Sequence, residues 1–374
     1  MTGNVFFNNG VTVGGGGSKL LNWLLTAITS EMDVQADYSE KKDLLMFYEQ
    51  QALSLEETFS GIAWPLETDE ITENGVKNEG TRTKLPNKGY EIVEYGEKLS
   101  TSFLMYQWLK QSKTLEGAST DVKKEWKTIA RDSKFLIEGA MLRMTIEMTK
   151  VYTKGFGTPT ASLGAGSPTP KGNPLFSILH TSRQGALTWR NMGTSSYLNQ
   201  PITTADGKVR IQNALDVMKS VVRLENGYKV AKPKVFDLIV SSDIAPIASE
   251  ILNTANNGRV TELASDGSNS SKKNVFNFDW NKVALHEYEL LGDYDKHGNQ
   301  IGTANMWFLR NPLYCQRTKC FKMIKLYEPL VQNYKSDDTD TQVVDIRIGY
   351  AVDHYGAECG VFGSKGDGDT AYAV

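Results

Sequence analysis

The sequence predicts an α+β fold, because one long amphipathic helix is followed by a strand-rich remainder. Apolar residues recur between Ser119 and Tyr152 with the 3.6-residue period of a helix. They are Val122, Trp126, Ile129, Leu136, Ile137, Ala140, Met144, Met148 and Val151. At about 1.5 Å per residue, a helix over 119–152 is about 50 Å long. A plain helical bundle is disfavoured, since no comparable helices accompany this one.

Shorter strands and helices follow in alternation. The apolar run Lys234–Val240 predicts a strand, and the segment 174–180 predicts a buried one. Helices are expected over 209–224 and 244–255. Further strands are expected over 283–291, 307–309, 323–327 and 343–352. The Pro- and Gly-rich stretch 157–174 and the polar stretch 256–274 predict loops.

Composition indicates an ordinary globular protein of two or three domain-sized units. The 374 residues are 40% hydrophobic and 23% charged, with a formal net charge of −3. This balance argues against a protein that coats nucleic acid, which needs a surplus of Lys and Arg. Three cysteines favour a reduced place of synthesis. The most apolar early run, Leu20–Ile28, is too short for a membrane span, and a secretory signal is not expected.

The first sixty residues do not resemble an independent domain. Four glycines at 14–17 predict a hinge. Ser18 can cap a short helix that carries Leu20, Leu21, Leu24, Leu25 and Ile28. Apolar spacing predicts a second helix over 39–59. Such short amphipathic helices cannot bury their own apolar stripes, so we expect a neighbouring surface to cover them.

Residues 62–99 predict an extended two-stranded ribbon. Asn74-Gly75 is a strong hairpin signal, and Asn87-Lys88-Gly89 is a second turn. An alternating run, Tyr90–Tyr95, follows. A ribbon this polar is marginal on its own, so it lies over a scaffold or reaches out to a partner.

Motifs that carry chemistry are missing from the sequence. It has no nucleophile elbow, phosphate loop, dinucleotide fingerprint or His-Glu-x-x-His pair. The four histidines are His180, His286, His297 and His354, and nothing marks any of them as a catalytic base. We therefore expect no catalytic residue and no cofactor.

Two weak metal patterns favour ordinary structural interpretations. Asp293 begins a calcium-like loop, but His297 and Ala304 stand where ligands belong, so a hairpin turn is expected. Cys315, Cys320, His354 and Cys359 offer zinc-ligand types. The two nearer cysteines lie five residues apart on a predicted strand, which points them to opposite faces. No metal site is expected.

The order of these elements resembles a known family, the major capsid proteins of tailed double-stranded-DNA bacteriophages with the Hong Kong 97-type fold. Within it, the sequence looks most like the Mu-like head-subunit branch. The resemblance is carried by Pro174–His180, by Gly227–Asp243 continuing into Ala248–Leu252, and by Asp345–Ala357 with Val361–Ser364. It covers nearly the whole chain, although no single string is diagnostic.

The resemblance implies a division of the chain. It has an N-terminal arm over 1–60 and the extended β-hairpin called the E-loop over 61–99. A peripheral P-domain follows over 100–210, with a short helix from Ser100 and the long spine helix at 119–152. The axial A-domain covers 211–335, and 336–374 return to the P-domain.

The resemblance also implies a function. The chain is expected to self-assemble through hexamers and pentamers into an icosahedral head that encloses double-stranded DNA without sequence-specific binding. It would be made in the bacterial host cytoplasm and located in the virion, with no membrane contact. Portal and scaffolding or decoration proteins are the expected partners. Candidate assembly-interface residues are Glu73, Lys77, Arg82, Lys84 and Lys88 on the ribbon, with Leu20 and Leu24 on the arm.

Other functions remain open at this stage. An encapsulin-like nanocompartment shares the fold but encloses enzymes. An α+β hydrolase using His180 or His354 would be a compact monomer. A decoration or tail-tube protein is usually shorter and lacks so long a helix.

Overall fold

The protein was analysed as a computed structural model. The structure describes residues 5–6, 12–14, 33–59, 88–101, 120–157, 164–169, 172–181, 187–222, 235–253, 282–335, 342–355 and 360–369. Its α+β class is as predicted. None of the helices within these ranges has the length and apolar character to cross a membrane.

The spine helix is α2, Thr120–Thr153, one residue from the predicted bounds at each end. Its buried stripe includes Met144, Met148 and Val151, each 0% exposed. Before it come β1 (Val5–Phe6), β2 (Thr12–Gly14), α1 (Asp33–Leu44), β3 (Phe47–Gln51), β4 (Glu56–Phe59), β5 (Lys88–Glu91) and β6 (Val93–Thr101). The periodic apolar stripe therefore identified the helix correctly.

After the spine helix come β7 (His180–Thr181), β8 (Thr188–Trp189), a 3₁₀ turn (Ser196–Asn199) and α3 (Gly207–Asp216), which continues as a π turn (Val217–Val221). The chain goes on with β9 (Val235–Val240), α4 (Ala245–Asn253), β10 (Lys282–Glu287), β11 (Trp307–Arg310) and α5 (Pro312–Thr318). It ends with β12 (Phe321–Lys335), β13 (Gln342–His354) and β14 (Val361–Ser364).

The larger sheet packs against the spine helix. Its order is β1-β2-β12-β13-β6, and β3 also pairs with β12. The long antiparallel pair β12–β13 is its centre, with register shifts around Tyr327. Pro329 lies at this irregularity, where it has no N–H to donate to the ladder. One core cluster joins this sheet, α1 and the spine helix through Tyr38, Met144 and Phe321.

The smaller sheet has the order β10-β9-β11-β14 and carries α3 and α4 on a second core cluster. Asp237 and Arg310 face each other across β9 and β11, and the guanidinium Nη2 lies 2.8 Å from the carboxylate. Nη1 of Arg310 also donates to the carbonyl of Leu44 at the end of α1. This buried ion pair therefore ties the two core clusters together.

Two predicted elements are wrong, and a third is shortened. The helix over 39–59 is instead the end of α1, a turn at Met46 with φ of 58°, and strand β3. Parallel pairing of Phe47 with Phe321 outweighs the local apolar spacing. The segment 174–180 holds only a bridge at Phe176 and the first residue of β7. Ser100 and Thr101 end β6, so the predicted short helix does not begin at Ser100, and the rest of its span lies outside the described residues.

Candidate functional site

The two strands at the root of the predicted ribbon are paired. β4 and β5 run antiparallel, and their register places Phe59 opposite Lys88 and Glu56 opposite Glu91. The segment between Phe59 and Lys88 therefore begins and ends at neighbouring positions on the two strands. The segment between them, 60–87, lies outside the described residues. Most of the predicted ribbon belongs to this segment.

β5 alternates between a buried and an exposed face. Lys88 and Tyr90 are buried, whereas Gly89 and Glu91 are exposed. Tyr90 packs in a small apolar cluster with Ala52, Ile324 and Tyr355. The root of the ribbon is thus fixed to the larger sheet of its own chain.

Lys88 is the centre of a buried polar cluster. Its ammonium donates to Ser167 Oγ, Asp353 Oδ1 and the carbonyl of His354, each at 2.7 Å. The Lys88 side chain is only 7% exposed and that of Asp353 4%. Three hydrogen bonds satisfy the three N–H donors of the ammonium, as a buried charge requires. The prediction that Lys88 contacts another subunit assumes an exposed side chain, whereas in this structure the side chain is buried within its own chain.

The Asp353 carboxylate is equally well satisfied. Ser167 Oγ donates to Oδ1 at 2.8 Å, and the backbone N–H of His354 donates to the same atom at 2.6 Å. The backbone N–H of Gly164, which has a φ of +76°, donates to Oδ2 at 3.1 Å. The cluster therefore joins β5, the loop after the spine helix and the end of β13.

His354 adds a titratable group to this cluster. Its Nε2 lies 3.2 Å from the carbonyl of Ser167, so that nitrogen carries the proton, and its buried Nδ1 has no hydrogen-bond partner among the described residues. Burial first, and then the nearby charge of Lys88, hold the pKa of His354 well below its usual range. The imidazole is therefore neutral at pH 7.

The two histidines weighed as hydrolase bases are both buried. His180 Nε2 lies 3.0 Å from Asn191 Oδ1, and its ring packs on Trp189 with centroids 4.4 Å apart. His354 sits in the cluster above. His180 is 3% exposed and His354 1% exposed, so neither ring is accessible to a substrate in this structure.

The calcium-like segment is a hairpin turn, as predicted. Asp295 accepts hydrogen bonds from the backbone N–H groups of His297 and Asn299 at 3.0 and 2.9 Å, and Tyr294 bridges to Gln300. Lys150 of the spine helix lies 3.2 Å from the same carboxylate. The backbone hydrogen bonds of Asn299 and His297, with Lys150 behind them, lower the pKa of Asp295 despite its burial.

The cysteine pattern differs from the prediction in one respect. Cys315 lies on the short helix α5, not on a strand, and both it and Cys320 are buried. Burial raises the pKa of the Cys315 thiol to about 12. Cys359 lies outside the described residues, and within the described ranges no three acidic, His or Cys side chains come together as metal ligands would.

Six of the seven predicted interface residues cannot be placed. Glu73, Lys77, Arg82, Lys84, Leu20 and Leu24 all lie outside the described ranges. Only Lys88 is described. Sequence reasoning missed its partners Asp353 and Ser167, although Asp353 belongs to the C-terminal run that carries the family resemblance.

Solved structures with a similar fold include several from phages. A phage-related protein from Bordetella bronchiseptica is 10% identical, with a TM-score of 0.45 over 94% of this chain and 98% of that one. The capsid of cyanophage Pam1 is 14% identical, with a TM-score of 0.43 over 86% and 89%. The capsid of Ralstonia phage GP4 is 11% identical, with a TM-score of 0.43 over 85% and 86%.

No protein-family model matches the chain, and no curated protein matches its sequence.

Proposed function

We propose that this chain is the major capsid protein of a tailed bacteriophage. Copies would associate through hexamers and pentamers into an icosahedral head that encloses double-stranded DNA. The Mu-like branch, the portal and scaffolding or decoration partners, and synthesis in the host cytoplasm belong to the same proposal.

The proposal rests mainly on one observation: the root of the ribbon is held in place by buried contacts within its own chain. Phe59 and Lys88 form the last described pair of the antiparallel strands β4 and β5. The Lys88 ammonium also forms a buried ion pair with the Asp353 carboxylate. The segment 60–87 leaves and returns through this fixed point. A rigid root sets the direction in which a ribbon leaves the subunit, which is what a contact with a neighbour needs.

The composition of the segment supports a contact between copies. The segment carries five acidic residues, Glu67, Asp69, Glu70, Glu73 and Glu79, together with basic Lys77, Arg82 and Lys84. Exposed ion pairs within one chain stabilise by only about 0 to 1 kcal/mol each. Across an interface, mixed charges set register and orientation between partners.

The net charge and the buried histidines agree with a non-catalytic shell that encloses DNA. A net charge of −3 disfavours adsorption of the enclosed genome. We expect no catalytic activity, and the buried positions of His180 and His354 support this over the hydrolase alternative. No observation on the described residues favours the nanocompartment alternative.

Electron microscopy of the purified recombinant protein tests the proposal. Rings of five or six copies, or closed shells, are the expected particles, and light scattering should show them grow with protein concentration. A monomer at every concentration, salt and pH would contradict the proposal.

A further inference from the structure

An open groove runs along the spine helix beside the larger sheet. Its volume is about 630 Å³, and its floor and walls include Phe135, Leu142 and Ile146 of the helix and Ile346 and Ile348 of β13. The loop 294–297 closes one side. Lys296 reaches Glu97 of β6 at 3.1 Å across its edge. The groove is therefore apolar inside and charged at the rim.

The helix presents further apolar side chains to this groove, of which Ile146 also belongs to the core cluster. Phe135, Gly139, Leu142 and Ile146 follow one another at helical spacings of four, three and four. Phe135 remains 54% exposed and Leu142 47% exposed. Large apolar side chains exposed side by side on a concave surface indicate that something covers them.

Gly139 makes the groove deep at its middle. A Cβ placed on it meets nothing within 4 Å. Glycine in a helix interior costs roughly 1 kcal/mol relative to alanine, and nothing in the packing of the described residues requires it here. The missing side chain leaves room for a side chain from another segment.

We propose that the leucine segment of the same chain, Ser18–Ile28, fills this groove. As a helix, it would place Leu20, Leu24 and Ile28 on one face, with Leu21 and Leu25 beside them. From Leu20 to Ile28 such a helix spans about 12 Å, against about 16 Å from Phe135 to Ile146. The occupant therefore matches the groove in length and in apolar character.

The anchoring of the segment at both ends argues for the same chain. On one side, Gly14 of β2 pairs with Gln332, which in turn pairs with Asp345, the neighbour of Ile346. Two strand spacings place Gly14 about 10 Å from the groove wall. On the other side, Tyr38 of α1 packs in the same core cluster as the buried stripe of the spine helix.

A segment tethered at both ends competes well against other occupants. The stretch 15–32 can reach about 60 Å when extended, so the groove lies within its range. Tethering gives an effective concentration in the millimolar range, which exceeds that of free copies in a dilute solution. The same chain is thus favoured over a second copy before any assembly takes place.

Cysteine cross-linking in the full chain tests this arrangement. In a Cys359→Ser background, Leu24→Cys with Leu142→Cys should form an intramolecular disulfide under mild oxidation of dilute protein, identified by peptide mass spectrometry. The matched control pairs Leu24→Cys with Leu313→Cys, since Leu313 is 64% exposed on α5. The test pair should link about ten-fold faster than the control.

Two outcomes would overturn the proposal. Links that form only between isotopically labelled and unlabelled copies would assign the groove to a second copy. Equal rates for the test and control pairs would leave the segment elsewhere. Neither outcome depends on whether the protein builds shells, so failure of this proposal is distinguishable from failure of the proposed function.

A second variant tests the proposal without requiring the double-cysteine protein to fold. Gly139→Leu fills the groove while favouring the helix, so circular dichroism should be unchanged. With Leu24→Cys as reporter, it should raise the rate of maleimide labelling about ten-fold by displacing the segment. An unchanged labelling rate would contradict the proposal.

Discussion

The ammonium of Lys88 and the carboxylate of Asp353 form a buried ion pair at 2.7 Å, between residues 265 positions apart in the chain. The pair fastens the root of the ribbon to the end of β13. A buried pair need not stabilise a fold more than apolar residues of the same shape would, but removing one partner leaves an uncompensated charge. In the proposed function, this rigid ion pair matters because it fixes the root from which the ribbon extends.

Replacing Lys88 by Met should strongly destabilise the subunit. Asp353 would keep its hydrogen bonds from Ser167 and the backbone but lose its counter-charge, at a cost of about 3 to 5 kcal/mol. Urea denaturation of the unassembled protein measures this. Lys98→Met, at an exposed position of β6, is the matched control and should change stability by less than about 0.5 kcal/mol.

A double variant separates the charge from the packing. Lys88→Met with Asp353→Asn keeps the acceptor oxygen while removing the negative charge, so it should be more stable than Lys88→Met alone. If both variants unfold at the same urea concentration, the lost packing and not the unpaired charge is responsible.

Mild acid should destabilise the fold through His354. Its pKa in the folded state lies well below the unfolded value of about 6.5, so between these two values only the unfolded chain binds the proton. Stability therefore falls as pH decreases below about 6.5, by up to about 1.4 kcal/mol per unit. Urea midpoints between pH 7 and pH 5 measure the slope.

Substitution of His354 isolates this effect. Gln can still donate to the carbonyl of Ser167 but cannot take up a proton, so His354→Gln should flatten the slope. His297→Gln, in the exposed turn, should retain it. A slope that survives in His354→Gln would assign the acid sensitivity to another group.

The periodicity of apolar residues predicted the elements whose pattern is contained within one continuous segment of the chain. The spine helix was found because its buried stripe, with Met144 at its centre, repeats within one segment. The strand β3 was missed because its pairing with β12 joins residues far apart, Phe47 with Phe321. No local pattern contains that information.

The candidate site was predictable only in part for the same reason. Turn signals at Asn74-Gly75 and Asn87–Gly89 predicted a ribbon, and the structure has its paired root at β4 and β5. Among so many charged residues, Lys88 resembled its exposed neighbours. Its burial depends on Asp353 and Ser167, which only the folded chain brings to it.

Met144 offers a direct test of the spine helix. Its side chain is fully buried between the helix and the larger sheet. Met144→Asp would bury a carboxylate without a partner and lose packing, at a cost of several kcal/mol. Arg131→Asp, at an exposed position of the same helix, is the control. Soluble Met144→Asp protein that melts like the control would place the stripe on the surface.

The charges of the ribbon provide the sharpest test of the proposed function. We expect Arg82→Glu with Lys84→Glu to weaken assembly, because reversing two charges in a strip of mixed sign disrupts its match to a neighbouring copy. The unassembled subunit should keep its melting temperature, because charged side chains of a polar segment contribute little to a hydrophobic core. Wild-type assembly should itself weaken with added salt, since exposed pairs are screened.

Two measurements on the same preparation distinguish an effect on the fold from an effect on assembly. Thermal melting of the unassembled subunit reports on the fold, and sedimentation of assembly reactions reports on the contact. Lys282→Glu with Arg317→Glu is the matched control, because it reverses two basic charges at exposed positions outside the ribbon. A ribbon variant that melts early would place these charges in contacts within their own subunit. One that sediments like the wild type would show that Arg82 and Lys84 do not form the contact, and the proposed role of the ribbon would then be wrong.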